Sequence, residues 1–275
     1  MGFSPEKKLL KFLEEDIGKG DITSKLLTKK KIRAKIITRE DCIVAGTSFV
    51  KQIFSLKGSK IKIIKPDGSS AKPNNTIIEV MGSSQSVLMC ERTALNLLSR
   101  MSGIATETSE LVKKIKTTKS KSQLFSTRKT APGLRFFDKE SVHIGGGKKH
   151  RIQLDDMIMI KDNHIAVHNS MPKLIEKAKK RYRKIEVEVE NQKDAILAAE
   201  LGANIIMLDN FSPKNIQNVI KKLEKLGLRK NVKLEASGRI NLKNIKSYAK
   251  TGVDMISVGS ITSSPKSIDM SLEVC

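Results

Sequence analysis

The chain has 275 residues, 52 Lys and Arg against 29 Asp and Glu, and 39% hydrophobic residues, which is apolar material enough for a large core and no signature of disorder. No apolar run approaches the ~18 residues of a membrane span, no charged-then-apolar leader opens the sequence, and Cys42, Cys90 and Cys275 are too scattered for a disulfide framework or a metal knuckle, so a soluble chain in a reducing cytoplasm is expected. The formal charge of +23 points toward anions, but 41 Lys against 11 Arg and 4% aromatics argue against specific nucleic-acid recognition and for a lysine-rich surface around a site for a phosphorylated or polycarboxylate small molecule.

Residues Pro5 to Glu15 carry Leu9, Leu10, Phe12 and Leu13 between charges, which predicts a short amphipathic helix ended by Gly18 and Gly20. Strand-like runs follow at Ile32–Thr38, Cys42–Ala45, Ile61–Ile64 and Ile77–Met81, with turn signals such as Pro66-Asp67-Gly68 and Pro73-Asn74-Asn75 between them. Several strands with little intervening helix read as an antiparallel sheet. From Ser86 to about Lys116 the spacing is helical, with Val87, Leu88, Ala94, Leu95 and Leu98 recurring at three and four.

Strand and helix then alternate. Strands are predicted at Gln123–Ser126, Met157–Ile160, Ile185–Val189, Ile205–Leu208, Lys233–Ala236 and Met255–Val258, and amphipathic stretches at Asp194–Leu201, Pro213–Leu226 and Asn241–Lys250. Successive β/α units predict a parallel sheet, doubly wound or closed toward a barrel. Polar residues follow the strands: Thr127-Arg128-Lys129, Lys161-Asp162-Asn163, Glu188 with Glu190, Asp209-Asn210, Ser237-Gly238 and Gly259-Ser260. Barrel enzymes carry their chemistry at the C-terminal ends of strands, so these groups are expected to converge on one site.

Arg128, Lys129, His150, Arg151 and Lys161 form a positive cluster suited to a ligand with several negative groups, because Arg pairs with a carboxylate in two fixed hydrogen bonds and Lys adds a compact charge. Glu188 and Asp209, on adjacent strands, are hard oxygen ligands that could reach one Mg²⁺ directly or through its waters, or could pair with those basic residues. Glu186 and Glu190 share the face of Glu188 by alternation, and pattern alone does not choose among the three. Ser237-Gly238 and Gly259-Ser260 read as short turns entering helices, either phosphate sites or ordinary caps. Gly145-Gly146-Gly147 is weak evidence for a phosphate cradle, and His164 reads as an orienting residue.

Three segments carry a resemblance: Thr127-Arg128-Lys129-Thr130 with Pro132-Gly133-Leu134-Arg135, Gly145-Gly146-Gly147 with His150-Arg151, and Ile160-Lys161-Asp162-Asn163-His164. With Gly20-Asp21-Ile22-Thr23-Ser24, Glu91-Arg92-Thr93, Glu186 to Glu190, Leu208-Asp209-Asn210 and Glu235-Ala236-Ser237-Gly238, they cover nearly the whole chain in order. The sequence resembles the quinolinate phosphoribosyltransferase family. The resemblance implies an α/β fold of the type II phosphoribosyltransferase kind, an incomplete, open α/β barrel with an N-terminal α/β sandwich domain. The expected boundaries are residues 1–105 for the sandwich and 106–264 for the barrel, the tail 265–275 being free to return to the first.

The implied activity is phosphoribosyl transfer from phosphoribosyl pyrophosphate to quinolinate with decarboxylation, dependent on Mg²⁺. The implied assembly is a homodimer in which Arg92 reaches the partner's site. By similarity Arg128, His150, Arg151 and Lys161 meet quinolinate, and Lys129, Glu188 and Asp209 meet phosphoribosyl pyrophosphate and its Mg²⁺, with Lys129, Glu188 and Asp209 the catalytic set. Ser237, Gly238, Val258, Gly259 and Ser260 match the phosphate loops, and Thr127 and Arg239 are counted with the substrate-binding residues. The chain departs from the family at Ser263, where a His is usual, and at Arg239, where a small residue often stands. Two other readings are carried forward: a paralogue acting on another anionic heterocycle, and a basic nucleic-acid binder.

Overall fold

The computed structural model describes residues 4–275. Ser4 caps the first helix, α1 (Pro5–Ile17), its Oγ accepting from the Lys7 N–H at 3.4 Å, and Pro5 stands where no amide hydrogen is needed. Leu9 and Leu13, one turn apart, are its buried stripe. There follow β1 (Lys31–Thr38), β2 (Cys42–Ile43), α2 (Thr47–Ser55), β3 (Lys60–Ile63), β4 (Ser70–Ala71), β5 (Thr76–Ser83) and the long α3 (Ser84–Lys116).

The alternating part comprises β6 (Gln123–Ser126), α4 (Arg135–Ile144), β7 (Ile158–Ile160), α5 (Asp162–His168), α6 (Met171–Lys179), β8 (Ile185–Val189), α7 (Gln192–Glu200) and β9 (Ile205–Asp209). It continues with α8 (Pro213–Lys225), β10 (Lys233–Ser237), α9 (Ile245–Ala249), β11 (Met255–Val258) and α10 (Ser260–Ser263), before β12 (Met270–Val274). The chain divides into two compact units, one running to Glu107 and taking in Pro265–Cys275, the other Thr108–Ser264.

In the first unit an antiparallel sheet of four strands has the order β12-β1-β5-β3, and β2 pairs separately with β4. The strand expected over Cys42–Ala45 is only two residues long. Its next amides turn elsewhere, Val44 N–H donating to Ser69 O at 2.9 Å and Ala45 N–H to Ser102 Oγ at 3.1 Å. The reading of little helix here is also corrected, because α2 buries Val50, Ile53 and Phe54 at helical spacing.

The second unit holds six parallel strands in the order β6-β11-β10-β9-β8-β7. This is an α/β fold consistent with the expected open barrel, since among the described residues no ladder joins β6 to β7. Strand β9 reads as an apolar run because both faces are covered: Ile205 to Leu208 are all buried, and α8 lays Ile216, Val219, Ile220 and Leu223 against the core. The free edge of β6 is met by Lys148, whose N–H donates to Leu124 O at 2.8 Å and whose carbonyl accepts from Ser126 N–H at 3.0 Å. This pairing carries the chain straight into His150-Arg151. Register brings the polar strand ends to one rim, with Ser237 beside Asp209 and Val258 beside Ser126.

One expectation about turns changes. Ser237-Gly238 does not enter a helix directly, since α9 begins only at Ile245. Asn241 and Asn244 side chains take over the intervening backbone groups, Asn241 N–H donating to Asn244 Oδ1 at 2.8 Å and Lys243 N–H to Asn241 Oδ1 at 2.9 Å. The triple glycine is a packing turn after α4: a Cβ on Gly147 would lie 2.7 Å from Val142 Cγ1 and 3.1 Å from Thr108 Cγ2.

Candidate active site

A cavity of about 340 Å³ opens among the C-terminal ends of the parallel strands, a volume suited to a small metabolite. Its walls include Thr127, Arg128 and Lys129 after β6 and His150 and Arg151 from the segment paired on β6. Lys161 follows β7, and Glu188, Asp209 and Ser237 come from β8, β9 and β10. Nine residues expected at a site from sequence thus line one cavity. A wider groove on the first unit is lined by Arg33, Lys35, Lys60 and Lys62 with Glu79; it gathers surface charge without the mixed set of acids and bases that lines the strand-end cavity.

The positive side of the cavity is electrostatically loaded. Burial, and next the Arg128 charge, lower the pKa of Arg151, so two guanidinium groups are held close enough to oppose each other. The buried Arg128 Nε has no hydrogen-bond partner among the described residues. Arg151 is steadied by Met157 O, 3.4 Å from Nη1, and by the Met159 sulfur, 3.2 Å from Nη2. Behind them lies Lys139, only 1% exposed. Its ammonium donates to Ser126 Oγ at 3.2 Å and to the Lys149 carbonyl, which also accepts from Ser126 Oγ at 2.9 Å. Burial foremost, then Arg135 and Arg128, lower its pKa to about 8. Sequence reasoning missed Lys139 together with the helix that carries it, since a lone lysine among other charges reads as surface.

The three glutamates along and just past β8 sort by depth. Glu186 is fully buried, Glu188 half-buried at the cavity wall and Glu190 exposed. Glu186 meets the equally buried Glu235 of β10 around His150, whose Nε2 is 3.1 Å from Glu235 Oε2 and 3.4 Å from Glu186 Oε2. Burial first, then the Glu235 charge, raise the Glu186 pKa. Glu235 was quoted in a motif without a role; the available signal was a carboxylate interrupting the apolar run of a central strand. Glu188 accepts from the Lys161 ammonium, the ion pair that the sequence held open as an alternative to metal binding. Asp209 Oδ2 accepts from Asn210 Nδ2 at 2.7 Å. His164 orients its neighbour, its Nδ1 accepting from Lys161 N–H at 3.0 Å.

The expected phosphate loops lie at or beside the rim. Gly238 has φ 94°, and a Cβ there would lie 2.7 Å from the Asn210 amide nitrogen. A Cβ on Gly259 would lie 3.3 Å from Lys129 Cδ, and Thr262 Oγ1 donates to Lys129 O at 2.8 Å. Val258 is fully buried in β11, and Arg239 and Ser260 are exposed; none of these three lines the cavity. Arg92, exposed on α3, belongs to the first unit and is not in the cavity wall. No helix among the described residues is long and apolar enough to cross a membrane.

Comparison with known proteins covers both units. The model described as Quinolinate phosphoribosyl transferase, N-terminal domain, matches residues 21–102, and that of the C-terminal domain matches residues 104–273. A protein of Methanocaldococcus jannaschii named "Probable nicotinate-nucleotide pyrophosphorylase (carboxylating)" is 45% identical over 275 residues, covering 98% of this chain and 96% of the relative. One of the same name from Methanothermobacter thermautotrophicus is 42% identical over 267 residues, covering 95% and 96%. The solved nicotinate-nucleotide pyrophosphorylase of Francisella tularensis superposes with a TM-score of 0.91 at 40% identity, covering 98% of this chain and 96% of that one.

Proposed function

Because the chain belongs to the quinolinate phosphoribosyltransferase family, we propose that this cavity transfers the phosphoribosyl group of phosphoribosyl pyrophosphate to quinolinate. The products are nicotinate mononucleotide, pyrophosphate and CO₂, in the biosynthesis of NAD. The observation that carries the reading is the split polarity of the cavity: Arg128, Lys129, Arg151 and Lys161 face Glu188 and Asp209 within one wall. A dianionic ring and a polyphosphate held by magnesium need both halves.

Arg128 and Arg151 hold the quinolinate carboxylates, each able to offer two parallel N–H donors, and Lys161 adds a third cation. Fixing the ring places its nitrogen at ribose C1, a positioning task that converts a two-body encounter into an intramolecular one. As the bond from C1 to pyrophosphate breaks, positive charge grows on the sugar and negative charge on the departing oxygen. In this reading Lys129, whose carbonyl accepts from Thr262 Oγ1, meets that negative charge, and the N–H groups around Ser237-Gly238 and Gly259 hold the ribose phosphate. The new bond makes the ring cationic, and the electron pair left by CO₂ passes into it before a proton replaces the carboxylate. No covalent enzyme intermediate is needed.

Glu188 and Asp209 fit magnesium by their chemistry, two hard carboxylates on adjacent strands at the rim where the pyrophosphate would lie. When bound there, the ion offsets pyrophosphate charge. We also assign Arg92 to the cavity of a second copy, so that a homodimer completes two sites. The test is release of pyrophosphate and CO₂ by the purified protein with phosphoribosyl pyrophosphate, Mg²⁺ and a panel of pyridine and pyrimidine carboxylates. Turnover confined to quinolinate is expected; equal turnover of nicotinate, or none of quinolinate, sinks the reading.

A further inference from the structure

His150 is expected from the resemblance to meet a substrate carboxylate, yet both of its nitrogens are engaged inside the protein. Nδ1 lies 2.8 Å from the main-chain nitrogen of Arg151. An amide N–H can only donate, so Nδ1 is the acceptor and the ring proton sits on Nε2. Nε2 in turn lies 3.1 Å from Glu235 Oε2, where a second carboxylate oxygen, Glu186 Oε2, is 3.4 Å away. The His150 side chain is 5% exposed and both glutamates 0%. His150 itself holds the left-handed φ of 51°, a conformation that a non-glycine residue keeps only when its surroundings impose it. Phe125 supplies part of that frame, edge-on with ring centroids 5.7 Å apart.

We propose that Glu235 is a positioning residue for the transfer reaction: it holds His150 as the Nε2–H tautomer, and His150 thereby fixes the main chain that presents Arg151 to the cavity. The inference rests on the reading of Arg151 as a quinolinate ligand. Glu235 acts through His150 and the Arg151 main chain, at the wall of the same cavity. The donor atoms of His150, Glu186 and Glu235 all lie within 4.8 Å of one another, but a metal there would need the Nε2 lone pair. That would leave an imidazolate accepting from Arg151, with the Arg151 and Lys161 charges already acting on Glu186.

The contact is read first by nitrogen NMR of the full ¹⁵N-labelled chain near neutral pH without substrate, with His150→Gln assigning the ring. A protonated Nε2 and an unprotonated Nδ1 are expected; protons on both nitrogens, or on Nδ1 alone, overturn the proposal. Two variants then read the consequence. Glu235→Gln keeps an oxygen acceptor and should keep both the tautomer and a near-native KM for quinolinate. Glu235→Leu removes the acceptor and should raise the quinolinate KM about tenfold or more, the loss of one charge-assisted hydrogen bond, with the KM for phosphoribosyl pyrophosphate unmoved. An equal rise in both KM values, or none in folded Glu235→Leu, overturns the proposal. If Glu235→Leu does not fold, the wild-type spectrum and the Glu235→Gln kinetics still decide, a tautomer lost in Glu235→Gln with native KM being the contrary result. A wild-type chain with the Nε2–H signal intact but no quinolinate turnover shows that the functional reading has failed, and with it the positioning role, while the hydrogen bond stands.

Discussion

Lys161 donates its ammonium to Glu188 Oε2 across the cavity wall, so the lysine assigned to a substrate carboxylate and the glutamate assigned to magnesium are each other's partners. A ligand that engages one must loosen it from the other. The ion pair is partly exposed, with side chains 36% and 14% accessible, which keeps its own strength modest. Lys161→Met should raise the KM for quinolinate by about 10- to 100-fold, the range for a hydrogen bond between charged groups. It should also lower the magnesium concentration giving half-maximal rate, because Glu188 is freed. Initial rates over a magnesium titration decide; an unchanged magnesium requirement separates the two roles and refutes the coupling.

Arg128 and Arg92 make a paired prediction about assembly. Arg128→Ala should nearly abolish turnover, and Arg128→Lys should restore little, since an ammonium cannot reproduce the two-pronged contact. Arg92→Ala should be inactive for a different reason, having lost the arginine it lends to its neighbour. Mixing the two inactive proteins under conditions that exchange subunits should return about a quarter of wild-type activity, because half of the random dimers carry one intact site of two. A mixture as dead as its components would place Arg92 outside the partner's cavity.

Gly238 should resist even the smallest enlargement. Its φ of 94° is the left-handed region, and an added Cβ would fall 2.3 Å from Asn210 Oδ1. Gly238→Ala should therefore raise the KM for phosphoribosyl pyrophosphate more than that for quinolinate and lose about 1–3 kcal/mol of stability. Paired kinetics and urea unfolding test this, and equal effects on the two KM values would detach the loop from the phosphate.

Lys139 should give the stability curve a slope on the alkaline side. A lysine with its native pKa lowered to about 8 from 10.5 binds its proton more weakly folded than unfolded, so its burial penalty is full below pH 8 and fades as pH rises toward 10.5. Between pH 8 and 10 the difference in stability between wild type and Lys139→Met should shift by about 2 kcal/mol in favour of wild type. Urea titrations at both values measure it; parallel curves would mean that the buried amine is as basic as a free one.

Much of the architecture was legible because short segments bearing Ile, Val, Leu, Met or Phe recur between turn and helix signals: β6, β8 and β11 occupy the residues expected from sequence. The helix α2 was not, because a nine-residue segment with three buried apolar positions sits among strands and offers too few turns for periodicity to register. At the site, the residue types announced themselves and their partners did not. Alternation put Glu186, Glu188 and Glu190 on one face but carries no information about depth, which depends on where along the barrel axis each lands. His150 shows the same limit: its place in the His-Arg motif was plain, while the carboxylate facing its Nε2 is contributed by Glu235 through the fold. Lys139 was invisible because the carbonyl that receives it is brought in by the Lys148 pairing on β6.

The strand Met270–Val274 pairs with β1 along Ala34 to Thr38, and Gly103 holds the passing chain so closely that an added Cβ would sit 1.8 Å from the Lys266 carbonyl. On the ribosome this reverses an order. The first unit begins to emerge before any barrel strand exists, yet its sheet keeps β1 as a bare edge, open to pairing with other chains, until all six parallel strands of the second unit have been made. Of the two units, the one begun first is thus the last to be finished, and its vulnerable interval lasts as long as translation of the second unit takes.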